Sequence, residues 1–383
     1  MQPTARLRYI FAQVKLRFGT SKISSAQFWK FIQPNFLIRP CNVAENSAPA
    51  EFSTLVRQNK WAQRDVSGSK MNVGGFAHQV GGHFGLLVCG GHVCKPLNAR
   101  EIAFYEQIGE RFAPYTAKCC GSVSISLQGW IDGSLTLSTD ANVPCHSRSL
   151  CNDEVVFRLS KGGRVEADRY DNAWARQCQS KVVQKLLKGY AWFVLMENVV
   201  AHFARPCVVD LKMGTRQYGD DASAQKRATQ AHKCRTSTSA EMGVRLVGMQ
   251  LYREETSTYF YVNKYDGRQM DSDAFRETLT EYLVKAGRIR TITLMKKLVA
   301  LRKLLAAAEG FRFFSSSLLI AFDAKTDKID PDSCIELKMI DFAHSTFEGF
   351  LNDERHYGPD EGYLLGIDSL VDLLTNIVNH NLT

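Results

Sequence analysis

The chain has 383 residues, a formal net charge of +9, 45% hydrophobic residues and 23% charged residues, a balance that excludes wholesale disorder, collagen and coiled coil and leaves room for two compact units or one two-lobed one. Seven of the excess positive charges, Arg6, Arg8, Lys15, Arg17, Lys22, Lys30 and Arg39, precede the first acidic residue, Glu45. The remainder is nearly neutral, so its overall charge indicates no nucleic-acid partner, and a cationic site there must be a local cluster.

Residues 1–70 read as a basic, poorly ordered extension. Within it Leu7, Ile10, Phe11, Val14 and Phe18 have amphipathic helical spacing beside Arg8, Lys15 and Arg17, the pattern of an organellar targeting segment in 1–44. From Met71 short strands between glycine pairs, at 76–80, 84–89 and 93–97, predict a three-stranded meander. Asn98 with Glu101 three residues on predicts a helix start for Ile102, Phe104, Tyr105 and Ile108. Residues 138–170 are polar and carry no pattern. Trp174, Cys178, Val182 and Leu186 then recur every four residues, predicting an amphipathic helix with Lys181, Lys185 and Lys188 on its other side. A buried strand follows over 190–196, the longest apolar run and far too short to cross a bilayer, and it ends in Glu197-Asn198-Val199.

After the informative stretch 206–252 the chain reads as mostly helical. Strands at 315–322 and 335–342 predict a hairpin, and an amphipathic helix over 364–378 closes the fold. The eleven cysteines include no C-x-x-C, which fits neither a zinc module nor a secreted disulfide scaffold. Reduced thiols are expected, in an intracellular chain of the cytoplasm or nucleus.

The chemistry concentrates in the second half. In Pro206-Cys-Val-Val-Asp210-Leu-Lys212-Met-Gly214 the two-residue alternation of a strand presents Asp210 and Lys212 on one face. A structural ion pair on a sheet would look the same. Between Lys212 and Arg235, six basic residues (Lys212, Arg216, Lys226, Arg227, Lys233, Arg235) stand against Asp220 and Asp221. Lys226 and Lys233, seven apart with Gln230 between them, share a helical face and with Lys212 can line an anion pocket, though a solvated basic helix has the same spacing. An Asp at the close of an apolar strand, Asp341 in Ile340-Asp341-Phe342-Ala-His344, suits Mg²⁺ held against nucleotide phosphates.

Pro206, Asp210, Lys212 and Gly214, with Ser316-Ser317-Leu318-Leu319 and Ile340-Asp341-Phe342, resemble the motifs of the inositol polyphosphate kinase family. The run 210–223, then Lys226, Gln230, Lys233-Cys234, Ser237-Thr-Ser239, Gly243-Val-Arg245 and Gly248-Met-Gln250, is most similar to its hexakisphosphate kinases, and Cys94-Lys95-Pro96-Leu97 and Phe104-Tyr105-Glu106 resemble their small lobe. The resemblance covers 76–375, poorly between 130 and 185.

It implies an α+β, two-lobed, protein-kinase-like fold: a small antiparallel-sheet lobe and hinge (71–199), and a larger mixed lobe (200–383) whose segment 215–240 binds the inositol phosphate. It also implies ATP in the cleft, with Lys95 on its phosphates and paired with Glu106, Glu197 and Val199 offering backbone groups to adenine, Ser316 and Ser317 assisting, and Asp341 on Mg²⁺. Asp210 and Lys212 would be the catalytic pair, and Lys212, Arg216, Lys226 and Lys233 would hold the acceptor, inositol hexakisphosphate. The alternatives are an inositol trisphosphate kinase or multikinase acting on a free hydroxyl, and an inactive inositol-phosphate-binding scaffold. Three departures stand out: a short loop over 323–334, His232 where an arginine is usual, and a basic start without counterpart.

Overall fold

The computed structural model describes residues 71–382, apart from 83, 130–133, 140–156, 160–164, 168–171, 326–329, 331–333 and 352. The expectations for residues 1–70 lie outside them. Nine strands form a first, antiparallel sheet: β1 (Met71–Gly75), β2 (Leu87–Cys89), β3 (His92–Pro96), β4 (Cys119–Ser124), β5 (Ser126–Gly129), β6 (Ser134–Thr139), β7 (Phe157–Leu159), β8 (Val165–Ala167) and β9 (Trp192–Met196). Their order is β4-β9-β3-β2-β1-β6-β7-β8, with β5 also pairing β6. Gly90 and Gly91, both at positive φ, make the two-residue turn between β2 and β3, where a side chain on either would be strained.

The meander differs from expectation at its first strand. Residues 71–75 are extended, whereas the described residues of 76–86 form an irregular loop. Gln79 is the reason: its buried amide donates to Gly81 O and Phe84 O, each at 2.8 Å, and accepts from Leu86 N at 2.9 Å. One side chain thus satisfies backbone groups that a strand partner would otherwise have to meet.

Helix α1 (Ala99–Gln107) starts as expected, with Asn98 accepting from Glu101 N at 3.1 Å. A 3₁₀ turn (Glu110–Tyr115) follows. Helix α2 (Ala173–Leu187) buries Trp174, Cys178, Val182 and Leu186, the predicted stripe, and packs Val182, Val183 and Leu186 against Leu127, Phe157 and Phe193 of the first sheet.

A second antiparallel sheet runs β12-β11-β10-β13-β14, from β10 (Pro206–Met213), β11 (Val244–Arg253), β12 (Thr258–Val262), β13 (Ser317–Asp323) and β14 (Glu336–Ile340). β13 and β14 are the predicted hairpin. Helices α3 (Ala224–Arg235), α4 (Ser239–Met242), α5 (Lys264–Gln269), α6 (Ser272–Ala286), α7 (Arg288–Ala306) and α8 (Glu361–His380) complete the lobe. Along β10 the alternation is complete: Cys207, Val209, Leu211 and Met213 enter the main core with Tyr282, Leu298 and Tyr363, and the intervening residues face the other way. The architecture is the expected two-lobed α+β one.

Two elements of the first half, α1 and the 3₁₀ turn with its buried Phe112, belong to the second core. Phe104 of α1 is fully buried there, its ring centroid 5.0 Å from Phe342, 5.6 Å from Phe350 and 6.2 Å from Phe313. Arg100 ties the same helix down through an ion pair with Asp353 and a 3.0 Å bond to Ser345 O. Among the described residues no helix is long and apolar enough to cross a membrane, and all cysteines are free thiols.

Candidate active site

A cleft of about 630 Å³ lies between the two sheets. Among the described residues eight Lys and Arg side chains line it against four carboxylates, so positive charge is concentrated here. At one end stand β3, the segment after β9 and the end of β14; at the other, β10, β11, α3 and α5.

On β3, Lys95 Nζ sits 2.8 Å from Glu101 Oε1 and 2.6 Å from Asp341 Oδ1. Burial alone would lower the proton affinity of this ammonium, but the Asp341 and Glu101 carboxylates more than reverse that, leaving its pKa above the ordinary lysine value. Sequence reading paired Lys95 with Glu106. That residue is exposed, and the partner is Glu101, 3% exposed on the inward face of α1, whose Oε1 also accepts from Phe342 N at 3.2 Å. A single Glu therefore joins α1, β3 and the Asp341 turn. Asp341 itself adopts positive φ (67°), which costs a non-glycine residue about 1 kcal/mol or more and marks the turn as held by its surroundings.

Glu197 and Val199 follow β9 on the cleft wall. The Glu197 N–H donates to Lys118 O at 2.8 Å, so its carbonyl is the backbone group left to offer a ligand. Asp210, 4% exposed, has an Oδ1 without a hydrogen-bond partner, and burial pushes its carboxyl up to about 6, against the pull of Lys212 and with a further push from Asp341. Loop 76–86 closes onto it: a Cβ on Gly81 would lie 2.0 Å from Asp210 Oδ2. Only glycine permits that approach. A bulge in the β10–β11 pairing falls between Asp210 and Leu211. Lys212, on the same face, donates to Ser315 O at 2.6 Å.

The serine and arginine expectations need correction. Ser316 is fully buried and donates to Phe313 O at 2.8 Å, so it faces the core rather than the cleft. Ser317 is buried between Lys212 and Ile340 in the sheet, its Oγ without a hydrogen bond, and the serine that reaches the cleft is Ser315. Arg216 does not line the cleft. It pairs with Asp220, donates to Tyr218 O at 3.1 Å and lies 4.0 Å from the Phe314 ring, bracing the loop that precedes α3.

Lys226, Gln230 and Lys233 do line the cleft from one face of α3, as their spacing predicts. Lys226 Nζ is 3.2 Å from His344 Nε2. His232 is exposed and outside the cleft. The structure adds four cations that sequence reading left without a site role, Lys185 on α2, Arg245 on β11 and Lys264 and Arg268 on α5. Among the described residues no group of three or more His, Cys, Asp or Glu could hold a metal by itself. A cation here would need phosphate oxygens from a ligand to complete its shell, which is how Mg²⁺ binds nucleotides.

The sequence model of the inositol polyphosphate kinase family matches residues 193–375. Inositol hexakisphosphate kinase 1 of Homo sapiens is 32% identical over 417 residues, covering 80% of this chain and 93% of that protein. Inositol hexakisphosphate kinase 3 of Mus musculus is 31% identical over 373 residues, covering 79% and 94%. In fold the chain is similar to the inositol phosphate multikinase of S. cerevisiae solved with ADP and Mn²⁺, with a TM-score of 0.51 at 19% identity, over 75% of this chain and 99% of that one. With more than 30% identity sustained over four fifths of its length, the chain belongs to the inositol polyphosphate kinase family.

Proposed function

We propose that this protein transfers the γ-phosphate of ATP to inositol hexakisphosphate, making a diphosphoinositol product. The observation that carries the reading is the split of the cleft into two chemically distinct ends. One end joins Lys95, Glu101 and Asp341 beside the Glu197–Val199 backbone; the other gathers Lys212, Lys226, Lys233 and Arg245. Six phosphate groups at about −1.5 to −2 each make a hexakisphosphate among the most anionic of small molecules, which such a cationic end suits. Residues 71–199 then act as small lobe and hinge, 200–383 as large lobe, and 215–240 carries acceptor contacts.

In this reading the Glu197 carbonyl and the Val199 backbone meet adenine, and Lys95, oriented by Glu101, meets the nucleotide phosphates. Loop 76–86, with its backbone close to Asp210, covers them. Asp341 and Asp210 are the residues that would hold Mg²⁺: Asp341 lines the cleft beside Lys95, and the buried Oδ1 of Asp210, without a hydrogen-bond partner, is an acceptor position that a cation would fill. The ion would neutralise charge on the transferring phosphoryl group. A phosphate nucleophile is already ionised at neutral pH, so it requires no base, and Lys212 stabilises charge between donor and acceptor while α3 fixes the acceptor's position.

A second reading, transfer to a free hydroxyl of a lower inositol phosphate, draws on Asp210, whose carboxyl at about 6 is suited to accept a proton near neutral pH. Incubating the purified protein with ATP, Mg²⁺ and a panel of inositol phosphates, and separating products by charge, decides between them. A product more anionic than hexakisphosphate supports the first. Phosphorylation of lower acceptors alone supports the second.

A further inference from the structure

Residues 78–81 of the small lobe lie on the face of the second sheet that carries Asp210. Gly248 on β11 is the cross-strand partner of Asp210, and a Cβ on it would fall 2.0 Å from Val80 O. Further along the strand, Gln250, opposite Val208, is fully buried, and its Nε2 donates to His78 Nδ1 at 2.9 Å. Val80 itself packs with Val208 of β10, Ala321 of β13 and the buried Val200 and Phe203. The loop therefore tracks β11 two residues at a time, His78 at Gln250 and Val80 at Gly248, and brings Gly81 against Asp210.

This seat is built from both sides. A glycine inside a strand weakens it and marks a place where another backbone approaches closely, which is the position of Gly248 in the middle of β11. On the small-lobe side, Asn172 at the start of α2 donates to Gln79 O at 3.2 Å, so helix and sheet grip the segment between them. The cover of the nucleotide phosphates is thus fastened to the large lobe, and beneath it Val247 and Asp210 are 7% and 4% exposed. Water kept from this point cannot compete for a phosphoryl group.

We propose that Gly248 is a positioning residue for phosphoryl transfer: it seats residues 78–81 as a water seal beside Asp210, and the seal decides whether the phosphoryl group goes to the acceptor or to water. In transfer, an acceptor phosphate oxygen bonds to the γ-phosphorus as the bond to the β–γ bridging oxygen breaks and ADP leaves. In the leak, a water oxygen makes the same bond, one of its protons passes to solvent, and ADP leaves with inorganic phosphate. This rests on reading the cleft as a site of ATP-dependent transfer.

The test uses the full chain with Gly248→Ala, measuring ADP and phosphorylated acceptor in the same samples with MgATP and inositol hexakisphosphate, and amide hydrogen exchange of residues 76–82 without ligand. In wild type the two products should appear in near-equal amounts and residues 76–82 should exchange slowly. Gly248→Ala should lower transfer roughly tenfold, raise the ADP-to-product ratio at least about threefold and speed the exchange. Gly366→Ala, whose Cβ would lie 2.4 Å from Gly243 O outside the cleft lining, should change neither the ratio nor that exchange, whatever it does to the rate. If Gly248→Ala does not fold, His78→Ala, at a half-buried position, severs the bond to Gln250 and should raise the ratio roughly twofold. A folded variant that loses rate with its ratio unchanged overturns the seal, and fast exchange of residues 76–82 in wild type overturns the seat. If the wild type phosphorylates no acceptor, the functional reading fails separately; ATP hydrolysis that rises in Gly248→Ala then still supports the seal, and unchanged hydrolysis overturns it.

Discussion

Replacing Asp210 by Asn should stabilise the ligand-free protein and at the same time abolish phosphoryl transfer. The carboxyl is 4% exposed, Oδ1 has no hydrogen bond, and burial lifts its pKa from 3.8 to about 6. At about 1.36 kcal/mol per unit, keeping this group ionised at neutral pH costs the fold on the order of 3 kcal/mol. Asparagine has the same shape and no charge to bury. Because the folded pKa lies above the unfolded one, the group's favourable contribution is fully present below pH 3.8 and is lost as the pH rises through about 6. The gap in Tm between Asp210→Asn and wild type should therefore be near zero at pH 4 and open to roughly 5 °C by pH 7.5. Scanning calorimetry across that range, in chelator and without nucleotide, measures it, and groups that titrate in both proteins cancel. A variant no more stable than wild type at pH 7.5, or a gap independent of pH, would refute the argument that this carboxylate is held ionised at a cost.

Asp341→Asn should lower kcat at least ~100-fold with the circular dichroism spectrum unchanged, since it removes both a metal-facing charge and a partner of Lys95; a folded variant with most of its kcat would remove Asp341 from the site. Lys226→Gln with Lys233→Gln should raise the inositol phosphate KM roughly 100-fold and leave the ATP KM within about threefold, and a rise confined to ATP would move the acceptor pocket elsewhere. Deleting residues 1–70 should leave hexakisphosphate phosphorylation near normal, because Lys95, Asp210, Lys212, Lys226, Lys233 and Asp341 all lie beyond it; loss of activity in a folded truncation would mean that the segment helps build the cleft.

The parts of the site that sequence exposes are those fixed by local periodicity. Asp210 and Lys212 share a face because strands alternate, and Lys226, Gln230 and Lys233 share one because helices repeat. The β13–β14 hairpin and α8 were legible for the same reason. Where contact depends on tertiary pairing, the signal fails. Glu101 reads as a capping residue three positions from Asn98, and nothing in its neighbourhood announces that Lys95 bends back to it. Arg245 sits inside the apolar run of β11 (VRLVGMQLYR), and Arg268 follows the glycine that packs α5 onto that strand. The two become neighbours only when that packing exists. Ser316 was misassigned because the turn at Ser315, at φ 60°, decides which serine faces the cleft, and no propensity encodes it. The Ser- and Gly-containing strands β4 and β5 lack the β-branched, alternating pattern that marks a strand.

The anchoring of α1 has a consequence for control. Protein kinases are governed in large part by moving the helix that carries the glutamate partner of the phosphate-binding lysine. In this chain that helix is bolted to the opposite lobe: Phe104 is enclosed by Phe313, Phe342, Phe347 and Phe350, and Arg100 is clamped by Asp353. Swinging it outward would empty the Phe104 socket, a loss comparable to deleting a core phenylalanine, about 3–5 kcal/mol. The joint that serves as an off position in one class of kinase is here a weld, and outward movement of this helix is closed to the chain as a way of switching the cleft off.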